Sequence, residues 1–281
     1  MEQAILQFFE GLRCPPLDII FSFFSFFGEA TVLAAAVVLL YWLIANDAGE
    51  QILLTALTSL PLTVLLKHAV VRPRPYAAGV VARAEVDNFF TSTEGLGDNL
   101  SFPSGHAQSA GSVLCALSLR LKGVWVWIFS AALVILIICS RLYLGVHYPT
   151  DVLAGLVFGV AVALFWNIIY RRAYRFRYIV LCGIALATLV PVLFFVHEDY
   201  IQAAGFLAGS AFFLPLYGII FKRKPAPFPR RLWRIPVGLL TMGVVFTFTL
   251  LLPEGFALLK WFLLAGAATF LSELCFGILK I

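Results

Sequence analysis

Charges interrupt this chain so rarely that apolar runs of about 20 residues, the length a helix needs to cross a ~30 Å hydrocarbon layer, follow one another along most of its length. Read between charged or Pro/Gly-rich breaks, they number about nine. They lie near Phe26 to Ala45, Ile52 to Val71, Pro103 to Leu119, Val124 to Ser140, Pro149 to Tyr170, Tyr178 to Val196, Tyr200 to Phe221, Ile235 to Leu252 and Phe256 to Gly277. Composition excludes a soluble alternative: with 62% hydrophobic and 12% charged residues, a 281-residue fold could fill a core but not cover its surface. Lipid must do the covering, and the expected fold is an all-α, polytopic transmembrane helix bundle.

Orientation follows from basic residues in short loops. One set of loop ends carries Arg120 and Lys122; Arg171, Arg172, Arg175 and Arg177; and Lys222, Arg223, Lys224, Arg230, Arg231 and Arg234. Placing these inside puts the N-terminus outside and the C-terminus in the cytoplasm for nine spans. The net charge of +5 is thereby a matter of topology, and no nucleic-acid partner is expected, because the basic clusters flank spans without interleaved stacking residues. Five cysteines, odd in number and without CxxC spacing, read as small buried hydrophobes, so neither a disulfide nor a metal is expected.

The first fourteen residues alternate Ile5, Leu6, Phe8, Phe9 and Leu12 with Glu2, Glu10 and Arg13, which suits an interfacial amphipathic helix or, equally, a frayed terminus. The longest polar stretch runs from Arg72 through Ser101 and includes Asp87, Asn88, Glu94, Gly97 and Asp98; loops of this length usually carry function or disorder.

Three clusters carry the chemistry. In the first, Lys67 and Arg74 stand seven residues apart at a span end, followed by Pro75. Two helical turns of separation lets both converge on one anion, although cations at span ends also snorkel without further purpose. His68 and Arg72 are read only as such snorkelling residues. The second cluster is Ser101-Phe-Pro103-Ser104-Gly105-His106, before the third run. Free N–H groups at a helix start bind anions, Ser104 adds a hydroxyl, Gly105 permits close approach, and His106 can protonate a leaving oxygen. Alone, it also reads as a capped helix start. The third cluster runs from Ser140-Arg141 to His147-Tyr-Pro149-Thr-Asp151. Arg141 offers a planar fork to phosphate oxygens, and Asp151, one turn beyond His147, can hold the imidazole by one nitrogen while the other faces a substrate. A structural His-Asp pair is the plain alternative. Under the proposed topology all three clusters share one membrane face, and together they supply what metal-free phosphoryl transfer requires. Glu29, near the outer end of the first run, either lines that site or has an interfacial role.

The three clusters together resemble the signature of the type 2 phosphatidate phosphatase superfamily, K-x6-RP, PSGH and SR-x5-H-x3-D, which stands complete here as Lys67 to Pro75, Pro103 to His106 and Ser140 to Asp151. The resemblance covers roughly the first five runs, and it implies a membrane phosphatase without a cofactor. Lys67, Arg74, Ser104, Gly105 and Arg141 would hold the phosphoryl group. His147 would be the nucleophile, Asp151 would orient it, and His106 would be the general acid and then the base. Residues 1–197 would form the phosphatase core, and 198–281 additional helices of unassigned role.

The expected substrate is a lipid phosphate monoester or diphosphate, hydrolysed at the extracytoplasmic face of a bacterial inner membrane. The alternatives are a sugar-phosphate phosphatase of similar topology and a non-catalytic phospholipid binding or transport protein. A vanadate-dependent haloperoxidase would share the pocket, but such enzymes are soluble.

Overall fold

The computed structural model describes residues 1–44, 47–90, 99–194, 197–220 and 227–281. Glu94, Gly97 and Asp98 of the long loop, the basic residues Lys222, Arg223 and Lys224, and the expected span ends Ala45, Val196 and Phe221 lie outside the described residues.

The regular structure is helical: α1 (Glu2–Gly11), α2 (Pro15–Phe26), α3 (Ala30–Ile44), α4 (Asp47–Val70), α5 (Gly105–Leu121), α6 (Val124–Tyr143), α7 (Pro149–Arg172), α8 (Arg177–Leu189), α9 (Glu198–Ile220), α10 (Phe228–Arg231), α11 (Arg234–Leu250), α12 (Ala257–Gly266) and α13 (Ser272–Leu279). Among the described residues, seven segments are long and apolar enough to cross a membrane, or eight if α2 and α3, bent by 48° at their junction, count as one span. The chain is an integral membrane protein. The run not counted is α5, which at 17 residues is shorter than its neighbours and is rich in Ser, Gly and Ala; nine spans would require α5 to cross as well. The first run begins earlier than expected, at Pro15, because Pro15 and Pro16 suit the first turn of a helix, and its break falls at Gly28.

The chain divides into two compact units. Unit 1 comprises Met1–Ala35 and Leu62–Phe165; unit 2 comprises Ala36–Pro61 and Trp166–Ile281. In unit 1, α6 is the central helix, packed by α1, α2 and α5. The first fourteen residues are not frayed: Leu6 of α1 is buried with Leu142, Tyr148 and Val152, which removes its side chain from water for about 2 kcal/mol. Glu2 secures the same helix by accepting from the Thr150 hydroxyl at 2.5 Å. Helices α5 and α7 cross with backbones in contact, since a Cβ on Gly155 or Gly159 would overlap the carbonyl oxygens of Ser104 and Gln108. This small-xxx-small spacing brings the start of α5 beside the start of α7.

In unit 2, α9 pairs with α12 through the same device, Gly205 and Gly209 lying against the carbonyls of Leu258 and Phe262. A π-helical turn at Ala267–Leu271 displaces the regular bonding, and the Trp42 indole N–H donates to the Ala268 carbonyl at 2.9 Å.

Candidate active site

All of the predicted site residues fall in unit 1, at the C-terminal end of α4, the N-terminal end of α5 and the α6–α7 junction. Sequence separation is closed by two local devices. Arg72 and Ser101 are tied across the long loop: Ser101 N–H donates to the Arg72 carbonyl at 2.7 Å and Arg74 N–H to the Asn99 carbonyl at 2.9 Å, around a Pro73–Leu100 bridge. This sets the first motif against the second. Between α6 and the third motif's histidine, Gly145 turns the chain at φ +71°, where a side chain would be strained and would meet Arg13 and the Ala82 carbonyl.

His147 is 2% exposed and Asp151 fully buried. The imidazole Nδ1 lies 2.8 Å from the Ser101 carbonyl oxygen but 3.8 Å from Asp151 Oδ2. A carbonyl can only accept, so Nδ1 carries the hydrogen and Nε2 the lone pair. The expected His-Asp hydrogen bond is thus replaced at Nδ1 by a backbone acceptor. Asp151 is otherwise engaged: Oδ2 accepts from Tyr148 N–H at 2.8 Å and Oδ1 from Arg72 Nη1 at 2.8 Å. Arg72, read from sequence as a snorkelling cation, therefore pairs with the motif carboxylate. It also donates to Glu2 at 2.9 Å and stacks 3.8 Å over the Tyr148 ring.

Burial, and after it the positive charges of Arg74, Arg141 and Lys67, holds His147 well below the ordinary histidine range. The ring is therefore held in its neutral form. Arg74 and Arg141 are 6% and 4% exposed. Arg141 Nη1 donates to Ser25 Oγ at 2.5 Å, while its buried Nε has no hydrogen-bond partner among the described residues. Ser104 is the N-cap of α5, and its N–H donates to the Asp151 carbonyl at 3.0 Å. Its buried hydroxyl makes no bond, either to the helix start or elsewhere among the described residues. Unmade hydrogen bonds at buried donors cost about 1–3 kcal/mol each, and both of these donors belong to motifs expected to hold an anion. His106, in the first turn of α5, has Nε2 3.1 Å from Glu29 Oε2.

Sequence reasoning missed Ser101's carbonyl, Arg72, Glu2 and Ser25. A backbone acceptor leaves no residue-type signal. Arg72 left one, a second arginine two positions before Arg74, but its carboxylate lies 79 residues away.

Residues 48–175 match the model of the PAP2 superfamily, a stretch that contains Lys67 through Asp151. The lipid A 1-phosphatase of Rhizobium etli is 34% identical over 127 residues, 44% of this chain and 51% of that protein. The undecaprenyl-diphosphatase of Sulfolobus acidocaldarius is 38% identical over 85 residues, 28% of this chain and 40% of that protein. Phosphatidylglycerophosphatase B of Bacillus subtilis is 25% identical over 189 residues, 63% of this chain and 86% of that protein. The chain spans about half the length of the lipid A 1-phosphatases it matches, 51% and 48%. The stretch similar to the PAP2 superfamily, 128 of the 281 residues, holds all three motifs intact.

Proposed function

We propose that this protein is a metal-independent membrane phosphatase that hydrolyses a lipid phosphate monoester or diphosphate at the extracytoplasmic face, through a phosphohistidine on His147. The observation that carries the reading is the fixed state of that ring: neutral, with Nδ1–H on the Ser101 carbonyl and Nε2 therefore nucleophilic, among three cations. Lys67, Arg74 and Arg141 neutralise the phosphoryl oxygens, and the unbonded Ser104 hydroxyl and the Gly105 N–H at the start of α5 add donors. His147 Nε2 attacks phosphorus as His106 protonates the departing oxygen; His106 then takes a proton from water, which releases phosphate and regenerates His147. Asp151, with its charge balanced by Arg72, stabilises the ring as it becomes positive from 3.8 Å. The relatives' names, lipid A 1-phosphatase, undecaprenyl-diphosphatase and phosphatidylglycerophosphatase B, support a lipid substrate. The outward orientation rests on the basic loops, and the bacterial inner membrane on the family resemblance.

The test is phosphate release in detergent with EDTA, from lipid A, undecaprenyl diphosphate, phosphatidylglycerol phosphate, phosphatidate and glucose 6-phosphate. Wild type is expected to turn over at least one lipid, and His147→Ala to lose at least about 10³-fold. Activity restored only by a divalent ion, or retained in His147→Ala, would refute the mechanism.

A further inference from the structure

The break between α2 and α3 reaches two motif residues from a part of the chain that carries no motif. Ser25 accepts from Arg141. At Gly28 an added Cβ would stand 3.0 Å from His106 Cδ2 and 3.1 Å from its Cβ, so the backbone of the break lies directly against the imidazole. The next residue, Glu29, brings Oε2 to 3.1 Å from His106 Nε2. The charged groups acting on His106 are Arg141 and Lys67, both positive, and Glu29; His147 is the neighbouring titratable ring.

These surroundings pose a conflict. Burial first, and then the cations beside it, make a second positive ring unfavourable, yet a general acid has to hold a proton when the bond breaks. A carboxylate on that ring offsets the repulsion. We propose that Glu29 is a positioning residue for His106, holding the ring by Nε2–H and favouring its protonated form so that Nδ1–H is the proton delivered to the leaving oxygen. This rests on the phosphohistidine reading above and deepens it. In the first step the P–N bond to His147 forms, the P–O bond breaks, and its electron pair leaves with the oxygen, which takes the Nδ1 proton. In the second, water forms the new P–O bond, its proton goes to His106 Nδ1, and the P–N pair returns to His147. Glu29 stays ionised in both.

The experiment uses the full chain in detergent, with kcat followed against pH on dioctanoyl phosphatidate and on undecaprenyl diphosphate. Phosphatidate needs its alcohol leaving group protonated more than the diphosphate needs its phosphate protonated. Glu29→Gln is expected to lower kcat on phosphatidate about 10–100-fold at pH 8, to move the alkaline limb down by about one pH unit, and to cost less on the diphosphate. Where only one of the two is turned over, the limb on that substrate decides. Glu29→Asp should restore most of the limb, and Glu29→Gln should add no loss in a His106→Gln background. Folded Glu29→Gln with an unshifted limb, or a loss of equal size in the His106→Gln background, overturns the inference while wild-type turnover and dead His147→Ala leave the mechanism standing. Inactive wild type, or active His147→Ala, overturns both. If Glu29→Gln does not fold, ¹⁵N-histidine NMR of the wild type decides: a proton on His106 Nε2 between about pH 6 and 8 is expected, and an Nδ1–H tautomer there overturns the proposal.

Discussion

Each unit buries ionisable side chains, and the two finish them differently. In unit 2, Glu50 is 5% exposed and accepts from Tyr170 OH at 2.6 Å and Arg177 Nε at 2.9 Å on one oxygen, and from Tyr178 OH at 3.1 Å on the other. Arg177 in turn stacks on Tyr174 and Tyr178, at 3.8 and 4.1 Å. The carboxylate's demands are met from within the protein, which is how an apolar environment tolerates a charge for structural reasons. In unit 1, Arg141 and Ser104 keep buried donors without partners among the described residues, and cations gather round a neutral histidine. Donors left open beside cations are poor construction for stability alone, and they suit a phosphate. Burial of charge alone therefore does not distinguish the two clusters; donors left open do.

The comparison breaks most directly at Arg141. If it is prepared for substrate, Arg141→Ala should lower kcat/KM about 10²–10³-fold, by removing a donor to the transferring phosphoryl group, while the apparent Tm in detergent stays level or rises as repulsion with Arg74 is relieved. A large fall in Tm with modest kinetic loss would place Arg141 with the structural charges instead.

Glu50→Gln should behave in reverse. It leaves Arg177, only 16% exposed in its side chain, without its countercharge, at a cost of up to about 3 kcal/mol. Thermal unfolding in detergent should register that loss, with kcat within about twofold of wild type. A kinetic collapse in folded Glu50→Gln would show that the second cluster also serves the reaction.

The smallest effect concerns His147 itself. Its unfolded value is near 6.5 and its folded value lies well below, so as pH falls under about 6.5 the unfolded chain binds this proton first. The contribution is fully present above that pH and is lost below it, at most about 1.4 kcal/mol per pH unit. Apparent Tm should fall more steeply between about pH 6.5 and 5 in wild type than in His147→Asn. Equal slopes would mean the ring is not held neutral by the fold.

Legibility divides along a physical line. The helical class is readable because lipid admits few solutions for a chain this apolar, and the motif residues are readable because they stand at fixed local spacings, Lys67 to Arg74, Ser104 to His106, Arg141 to His147 to Asp151. Glu29 stands out in sequence as a carboxylate inside an apolar run, but its partner does not. Arg72 reads as an ordinary cation at a span end, and Asp151 reads as the partner of His147 because four residues is about one turn of helix. In the structure α7 begins at Pro149, between the two, and the Asp151 carboxylate is spent on Tyr148 N–H and on Arg72.

By itself, then, the sequence determined that this protein lives in lipid as helices and that three motifs of phosphate-binding residue types stand in order along it, since hydropathy and motif spacing are local quantities that a chain displays in order. Only the tertiary structure decided which acceptor holds His147, which cation answers Asp151 and which carboxylate faces His106. Those pairings join residues 46, 79 and 77 positions apart along the chain, between Ser101 and His147, Arg72 and Asp151, and Glu29 and His106. They depend on where helices break and cross, at Gly28, Gly145 and Gly155, and local sequence does not encode such meetings.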